Sequence, residues 1–295
     1  MAETSSTGRT FVAACAQMRT GKDMTANVDA AVKLVREAAD GGASYVQTPE
    51  MTNVLVRSRE ELFAVIMPED VCPALTAFQE LARRLGLFVH LGSLAVRLEG
   101  ARAANRSYVI DPDGEIVARY DKIHMFDVDL PNGESWRESA TYRPGESAVG
   151  VDLPWGRLGL TVCYDVRFPT LHRALAENGA EAIASPAAFT KQTGEAHWHV
   201  LLRSRAIETG SFVIAAAQGG THEDGRETYG HSLIVDPWGR VLAEADHDRP
   251  GVILAEIDLS KSAEARRRIP ALENGRRFGV QPAASEPTPL RDVGT

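Results

Sequence analysis

Cysteine is scarce in this chain, with only Cys15, Cys72 and Cys163 among 295 residues. An odd, sparse set makes no disulfide scaffold and suits a reducing compartment, so a cytoplasmic location is expected. Long apolar runs are missing too. No stretch approaches the roughly 20 residues of a membrane-crossing helix, and the Phe11–Ala16 run is too short for a secretory leader. Basic charge is in deficit: 32 Lys and Arg stand against 40 Asp and Glu, a net charge of −8. This balance argues against nucleic-acid and membrane partners, which select basic surfaces. No Pro/Ser-rich linker divides the chain, and 44% hydrophobic residues can fill one large core. A polar segment at 1–9, a single domain at 10–279 and a tail at 280–295 are therefore expected.

What is present is an alternation of strand and helix patterns. Thr10–Gln17 reads as a buried strand, and apolar residues at Val28, Ala31, Val32, Val35 and Ala38 mark a helix that Gly41 and Gly42 stop. Ser44–Gln47 is a short strand leading into Thr48-Pro49-Glu50. Ser58 to Glu61 resembles a capping box, and Cys72–Leu85 is a helix closed by Gly86. Leu87–Arg97 is a strand interrupted by Gly92, followed by a hairpin at 105–120 that turns on Asp-Pro-Asp-Gly. Asp121–Ser147 has no clear period and is predicted to be a long functional loop. A hairpin at 149–163, helices at 171–177 and 195–208, and strands at 181–185 and 211–217 come next. The Gln218–Thr228 loop, strands at 229–235, 240–244 and 252–257, and a helix at 260–268 complete the order. Two strand–helix–strand blocks, about 10–120 and 157–257, suggest an internal duplication with helices outside two sheets.

The chemistry concentrates at Leu158-Gly-Leu-Thr-Val-Cys-Tyr-Asp-Val-Arg-Phe-Pro169. An apolar strand ends at Cys163, and Pro169 is placed to open a helix, which leaves a thiol at a strand end beside free backbone N–H groups. A free thiol has a pKa of about 8.5, so it needs a base or a positive charge beside it to react at neutral pH. Glu50, Lys122 and Glu138 are candidates, each in or next to a strand-to-loop junction. His124 and His231 are alternatives, because histidine is the common partner of a nucleophilic thiol. Glu195, His197 and His199 could suggest a metal site. On a helix, however, residues two apart point in different directions, so a helix start lining core or pocket is expected instead.

Thr-Pro-Glu50-Met, Tyr-Asp-Lys122-Ile-His-Met-Phe-Asp and Gly-Leu-Thr-Val-Cys163-Tyr-Asp-Val-Arg-Phe-Pro occur in that order. Together they resemble the nitrilase, or carbon–nitrogen hydrolase, superfamily, whose Glu-Lys-Cys triad falls on Glu50, Lys122 and Cys163. The resemblance runs from Ala13 to about Gly279 and takes in Gly92-Ser-Leu94, Gly230-His-Ser232 and Asp236-Pro-Trp-Gly239. Ala196-His-Trp-His, Arg205-Ala-Ile-Glu-Thr and Ala215-Ala-Ala-Gln218 are similar to the Nit branch. It implies an α/β fold, a four-layer α-β-β-α sandwich, assembled as a homodimer or higher homo-oligomer. No metal or organic cofactor is implied.

The implied reaction is hydrolysis of a small-molecule carboxamide to acid and ammonia through a thioester on Cys163. In it Glu50 serves as acid and base, Lys122 and the Tyr164 N–H form the oxyanion hole, and Glu138 supports them. Within the Nit branch the implied activity is that of a deaminated glutathione amidase. An ω-amidase acting on α-ketoglutaramate or α-ketosuccinamate, a nitrilase, an N-carbamoyl amide hydrolase and a silent binding protein are the alternatives. A substrate carboxylate is expected to meet Arg167, with Phe189, Thr193 and His197 bordering the pocket. Arg266 to Arg268 are expected on a solvated or dimer-facing surface.

Overall fold

The computed structural model describes residues 8–130, 133 and 135–280. The first block runs β1 (Thr10–Gln17), α1 (Met24–Asp40), β2 (Tyr45–Gln47), α2 (Arg59–Val65), α3 (Pro73–Leu85), β3 (Phe88–Leu98), β4 (Arg102–Ile110) and β5 (Ile116–Asp121). A ribbon of β6 (Asp127–Asp129) and β7 (Ser135–Arg137) connects it to the second block. That block runs β8 (Val149–Leu153), β9 (Gly156–Leu160), α4 (Pro169–Glu177), β10 (Ala182–Ala184), α5 (Lys191–Thr209) and β11 (Phe212–Ala215). A ribbon of β12 (Gly219–Thr221) and β13 (Glu227–Tyr229) follows, then β14 (Leu233–Val235), β15 (Val241–Glu244), β16 (Gly251–Asp258) and α6 (Ser260–Arg268).

Two six-stranded sheets form, ordered β16-β1-β2-β3-β4-β5 and β15-β14-β11-β10-β9-β8. Read from β16 and from β8, both sheets run antiparallel, parallel, parallel, antiparallel, antiparallel. The duplication expected from the sequence is thus a repeat of topology. One strand departs from chain order: β16, from the end of the second block, completes the first sheet.

Alternation along the strands decides the layers. In β1, Phe11, Ala13 and Cys15 join a core with Leu158, Leu160, Val213 and Ala215 of the other sheet. Ala14 and Ala16 face the opposite way and pack with Leu34, Val35, Phe78 and Ala82 of α1 and α3. On the second sheet, α4 packs over β9 and α5 over β11. The result is an α-β-β-α sandwich. Parallel strands covered on both faces need apolar residues throughout, and β2, β10 and β11 are buried at every position.

Local signals place the helix ends. The Asp23 carboxylate caps α1 by accepting from the Thr25 and Ala26 N–H groups, Gly86 closes α3 in the left-handed region, and Pro169 opens α4. Three expectations are corrected. The Asp121–Ser147 stretch holds the β6–β7 ribbon and a 3-10 turn at Glu138–Ala140, and Gln218–Thr228 is largely the β12–β13 ribbon. Three-residue strands are too short to show a period. The strand expected over 229–235 is broken where Gly230 and His231 take φ of 72° and 54°.

Candidate active site

Four segments leave regular structure and meet. β2 ends at Gln47, and the turn after it carries buried Glu50. β5 ends at Asp121, so Lys122 follows the strand directly with its side chain buried. β9 ends at Leu160, and Cys163 opens a 3-10 turn, Cys163–Arg167. Glu138 opens the 3-10 turn after β7.

Cys163 and Met51, the neighbour of Glu50, have φ of 50° and 56°. Each left-handed non-glycine residue costs about 1–2 kcal/mol, so the surroundings must hold it. The Cys163 N–H donates to the Pro186 carbonyl at 2.8 Å. Asp165, fully buried, accepts from the Val162 N–H at 2.8 Å and the Tyr120 hydroxyl at 2.7 Å, which ties the turn to β9 and β5. Gly92, at the β3 bulge, lets the Glu50 turn and the Pro186 segment close up. A Cβ there would overlap the Thr48 carbonyl oxygen and the Pro186 side chain.

The charged groups form one network. Lys122 Nζ lies 2.9 Å from Glu50 Oε1, and 3.0 and 2.8 Å from Glu138 Oε1 and Oε2. Asn105 Nδ2 donates to both carboxylates, at 2.8 Å to Glu50 Oε1 and 3.0 Å to Glu138 Oε1. The Ala188 N–H donates to Glu50 Oε2 at 2.9 Å, and the Phe126 N–H to Glu138 Oε2 at 2.7 Å. Gln218 Nε2 holds the Glu50 carbonyl at 3.0 Å. Sequence reasoning missed Asn105, Ala188 and Gln218.

Burial alone would raise the Glu50 pKa, but the Lys122 charge and the hydrogen bonds from Lys122, Cys163 and Asn105 outweigh it and hold the carboxyl below its ordinary range. For Lys122 burial works downward, and the Glu138 and Glu50 carboxylates overcome it and hold the ammonium well above its usual value. Burial pushes the Cys163 thiol well up, and the adjacent Glu50 charge adds to this. Lys122 and the Ala188 N–H only partly oppose them. The resting centre is therefore carboxylate, ammonium and neutral thiol. Passing the thiol proton to Glu50 moves a negative charge from oxygen to sulfur without changing the total, so the network can deprotonate the nucleophile when a carbonyl is present to take the new bond.

A pH dependence follows from these directions. The depressed Glu50 stabilises the fold above its unfolded-state pKa of about 4.3, and that stability is lost as pH falls through the folded value. The raised Lys122 stabilises below its unfolded-state pKa of about 10.4, and that stability is lost as pH rises through the folded value. The margin in urea midpoint of wild type over a Lys122→Met variant should therefore be smallest in acid, where the variant's carboxyls are protonated, and widen as pH rises and both must ionise without a cation.

Cys163 lies in a cavity of about 580 Å³ whose wall includes Glu50, Lys122, Glu138, Tyr164, Phe189 and Thr193. This volume is typical of sites for small organic ligands. Two of the expected residues and both alternative bases fall elsewhere. Arg167 and His197 are not on the wall: Arg167 lies over the Phe189 and Tyr164 rings (5.2 and 6.0 Å to their centroids) and 3.3 Å from His197 Nδ1. The two histidines are not on the wall either. His124 is held by Asp165 at 2.7 Å and stacked on Phe168, and His231 faces Glu244 at 3.1 Å. Besides Lys122, the cations among the described wall residues are Arg57, Arg137 and Arg226. Arg57 and Arg226 both lie over the Trp136 ring, 5.1 and 4.8 Å from its centroid. Trp136 Nε1 is buried without an acceptor among the described residues.

Compared with known families, residues 12–267 match Carbon-nitrogen hydrolase. The chain belongs to the carbon–nitrogen hydrolase family. The nitrilase and fragile histidine triad fusion protein NitFhit of Caenorhabditis elegans is 39% identical over 276 residues, which is 92% of this chain and 62% of the fusion protein. Its crystal structure matches with a TM-score of 0.83 at 36% identity, over 90% of this chain and 65% of that one. This carbon–nitrogen hydrolase thus spans under two thirds of that relative. The deaminated glutathione amidase of Synechocystis sp. is 39% identical over 272 residues, covering 90% of this chain and 97% of that one. A Glu-to-Leu mutant of the amidase from Nesterenkonia sp. AN1 matches with a TM-score of 0.73 at 26% identity, over 88% of this chain and 94% of that chain. It was solved with the acetamide moiety of fluoroacetamide added covalently at its active-site cysteine. The protein is accordingly an amidase-type hydrolase of carbon–nitrogen bonds.

Proposed function

We propose that this hydrolase cleaves the γ-amide of deaminated glutathione through a thioester on Cys163. One observation carries the reading: Glu50, Lys122 and Glu138 converge on Cys163 in a cavity whose wall also bears three arginines. The Synechocystis relative named for this activity, and the Nesterenkonia amidase with its modified cysteine, support it.

Glu50 takes the thiol proton as sulfur bonds to the amide carbon. The carbonyl oxygen becomes an oxyanion facing Lys122 Nζ and the N–H of Tyr164. Such a donor contributes about 3–4 kcal/mol to the transition state. The three N–H bonds of Lys122 already meet three carboxylate oxygens, so Glu138 must share one of them with the oxyanion. Glu50 then gives its proton to the leaving nitrogen as the C–N bond breaks. It next takes a proton from water, which attacks the thioester and releases the acid and the thiol. Glu138 and Asn105 act as positioning residues.

With α-ketoglutaramate the nitrogen leaves as ammonia. In deaminated glutathione that nitrogen belongs to cysteinylglycine, which leaves in its place. The test is product release from the two substrates side by side. Higher kcat/KM for deaminated glutathione is expected, and a preference for α-ketoglutaramate would move the reading to an ω-amidase. The cavity volume and its arginines favour the longer substrate, which carries a carboxylate at each end. Arg226, on the cavity wall and paired with Asp224 at 2.8 Å, is the candidate partner for the distal carboxylate. A charge-assisted contact is worth about 1.5–3 kcal/mol, so Arg226→Gln should raise KM for deaminated glutathione roughly 10- to 100-fold. The kcat should be little changed, as steady-state kinetics would show.

The proposal includes a homodimer in the cytoplasm. Ile207, Trp238 and Ile269 are exposed around one shallow depression on the outer side of the second sheet's helices, which offers apolar area to a second copy. Arg266 does not belong to a solvated surface: it donates to the Thr209 and Ala180 carbonyls and to Ser211, fixing α6. Light scattering behind a sizing column should give twice the chain mass of 31.9 kDa, and Trp238→Glu should halve it. All three cysteines are free thiols, in keeping with a reducing compartment.

A further inference from the structure

Three metal-ligating side chains outside the catalytic cavity converge from separate elements. His199 lies on α5, His231 in the turn between β13 and β14, and Glu244 at the end of β15. His199 Nε2 is 2.8 Å and His231 Nδ1 3.1 Å from the same oxygen, Glu244 Oε1. All three donor atoms lie within 4.8 Å of one another. None of these residues lines the catalytic cavity.

The surroundings hold this arrangement in place. His231 takes a left-handed φ of 54°, a conformation shared among the non-glycine residues described only by Met51 and Cys163 at the catalytic centre and Ala101 in a turn. Trp198 Nε1 donates to the His231 carbonyl at 2.8 Å and secures that turn against α5. The Tyr229 ring stacks on His231 at 4.2 Å between centroids and meets His199 edge-on at 6.0 Å, so one aromatic ring orients both imidazoles. Gly194 on α5 makes room for it, because a Cβ there would overlap the Tyr229 ring. The side chains of His199, His231 and Glu244 are 31%, 22% and 29% exposed, so an ion reaches them from solvent.

We propose that His199, His231 and Glu244 form a divalent-cation site of the zinc class that pins α5 to β15 and the turn after β13. Two imidazole nitrogens and one carboxylate oxygen are a donor set that zinc favours, with the fourth position left to water. Ligand bonds of about 2.0–2.2 Å in a tetrahedron place donors about 3.3 Å apart. The observed 2.8 and 3.1 Å need a small retreat of the carboxylate, and the two ring nitrogens, within 4.8 Å of each other, need to settle at the same spacing. The cation stabilises the cavity wall from behind, since Thr193 on α5 and Thr228 on β13 both line the cavity. It takes no part in the reaction.

The test uses tag-free full-length protein carrying Cys163→Ser, so that the active-site thiol is not the acceptor. Titration with Co2+ should give visible d–d absorption saturating at one ion per chain, displaced by one equivalent of Zn2+. His199→Ala and Glu244→Ala, each added to this background, should weaken binding at least tenfold while leaving the far-UV circular dichroism unchanged. Zinc should raise the melting temperature of the parent and not of these variants. Absence of stoichiometric binding by the parent, or equal binding by the His199→Ala protein, would overturn the proposal and leave a hydrogen-bonded cluster only.

Discussion

Replacing Cys163 with alanine should lower kcat for amide hydrolysis by about 10⁴-fold or more, because no other nucleophile is placed to form the acyl intermediate. The substitution removes one sulfur from a site that is otherwise left intact. The Lys122–Glu50 and Lys122–Glu138 pairs, at 2.9 and 2.8 Å, do not depend on the thiol. Thermal stability should accordingly change little, and KM should stay close to that of wild type. Steady-state kinetics with a melting curve on the same preparation checks both halves. Retention of activity in the alanine variant would remove the thioester mechanism.

The second large effect is expected at Lys122, where activity and stability should fall together. Lys122→Met leaves Glu50 and Glu138 facing each other, with side chains only 5% and 11% exposed and no cation between them. Breaking a buried ion pair by removing one partner costs about 3–5 kcal/mol, partly relieved here because one carboxyl can take up a proton. The oxyanion also loses its charged donor, so kcat should drop by about 10³-fold even in the fraction that stays folded. Measuring kcat against titrated active sites, beside urea unfolding, separates the two losses. A Lys122→Met protein as stable as wild type would show that the lysine does not hold the carboxylates together.

The parts of this site that were legible in the sequence are those in which chemistry and local structure coincide. Cys163 follows a strand-forming run and precedes a proline, Glu50 follows a short strand, and Lys122 follows a hairpin, so each marks a strand end without knowledge of the packing. The helix limits were legible for the same reason: caps such as Asp23, Gly86 and Pro169 act within a few residues of themselves. Asn105 was not legible. It lies inside β4, and it reaches both carboxylates only because the pairing of β4 with β5 sets it beside Lys122, whose N–H donates to the Asn105 carbonyl at 3.0 Å.

Proximity in sequence misled at Arg167. Four residues after the nucleophile is close along the chain, but the 3-10 turn places that guanidinium over the Phe189 ring, and Arg167 itself does not line the cavity. The arginines that do reach the wall come from three distant segments, around positions 57, 137 and 226, which only the folded sandwich and its two ribbons bring together. His199 shows the same limit in another form. The neighbours considered for it, Glu195 and His197, diverge around α5, whereas its actual partners arrive from the turn after β13 and from β15.

The most direct measurement of the central claim is partition of the acyl intermediate by hydroxylamine during turnover of deaminated glutathione. A thioester on Cys163 predicts that hydroxamate forms at the expense of free keto acid as hydroxylamine rises, while cysteinylglycine release does not slow. No hydroxamate should form with the Cys163→Ala protein. Turnover that yields only the free acid at every hydroxylamine concentration would contradict the account, because water would then be attacking the amide with no intermediate on sulfur.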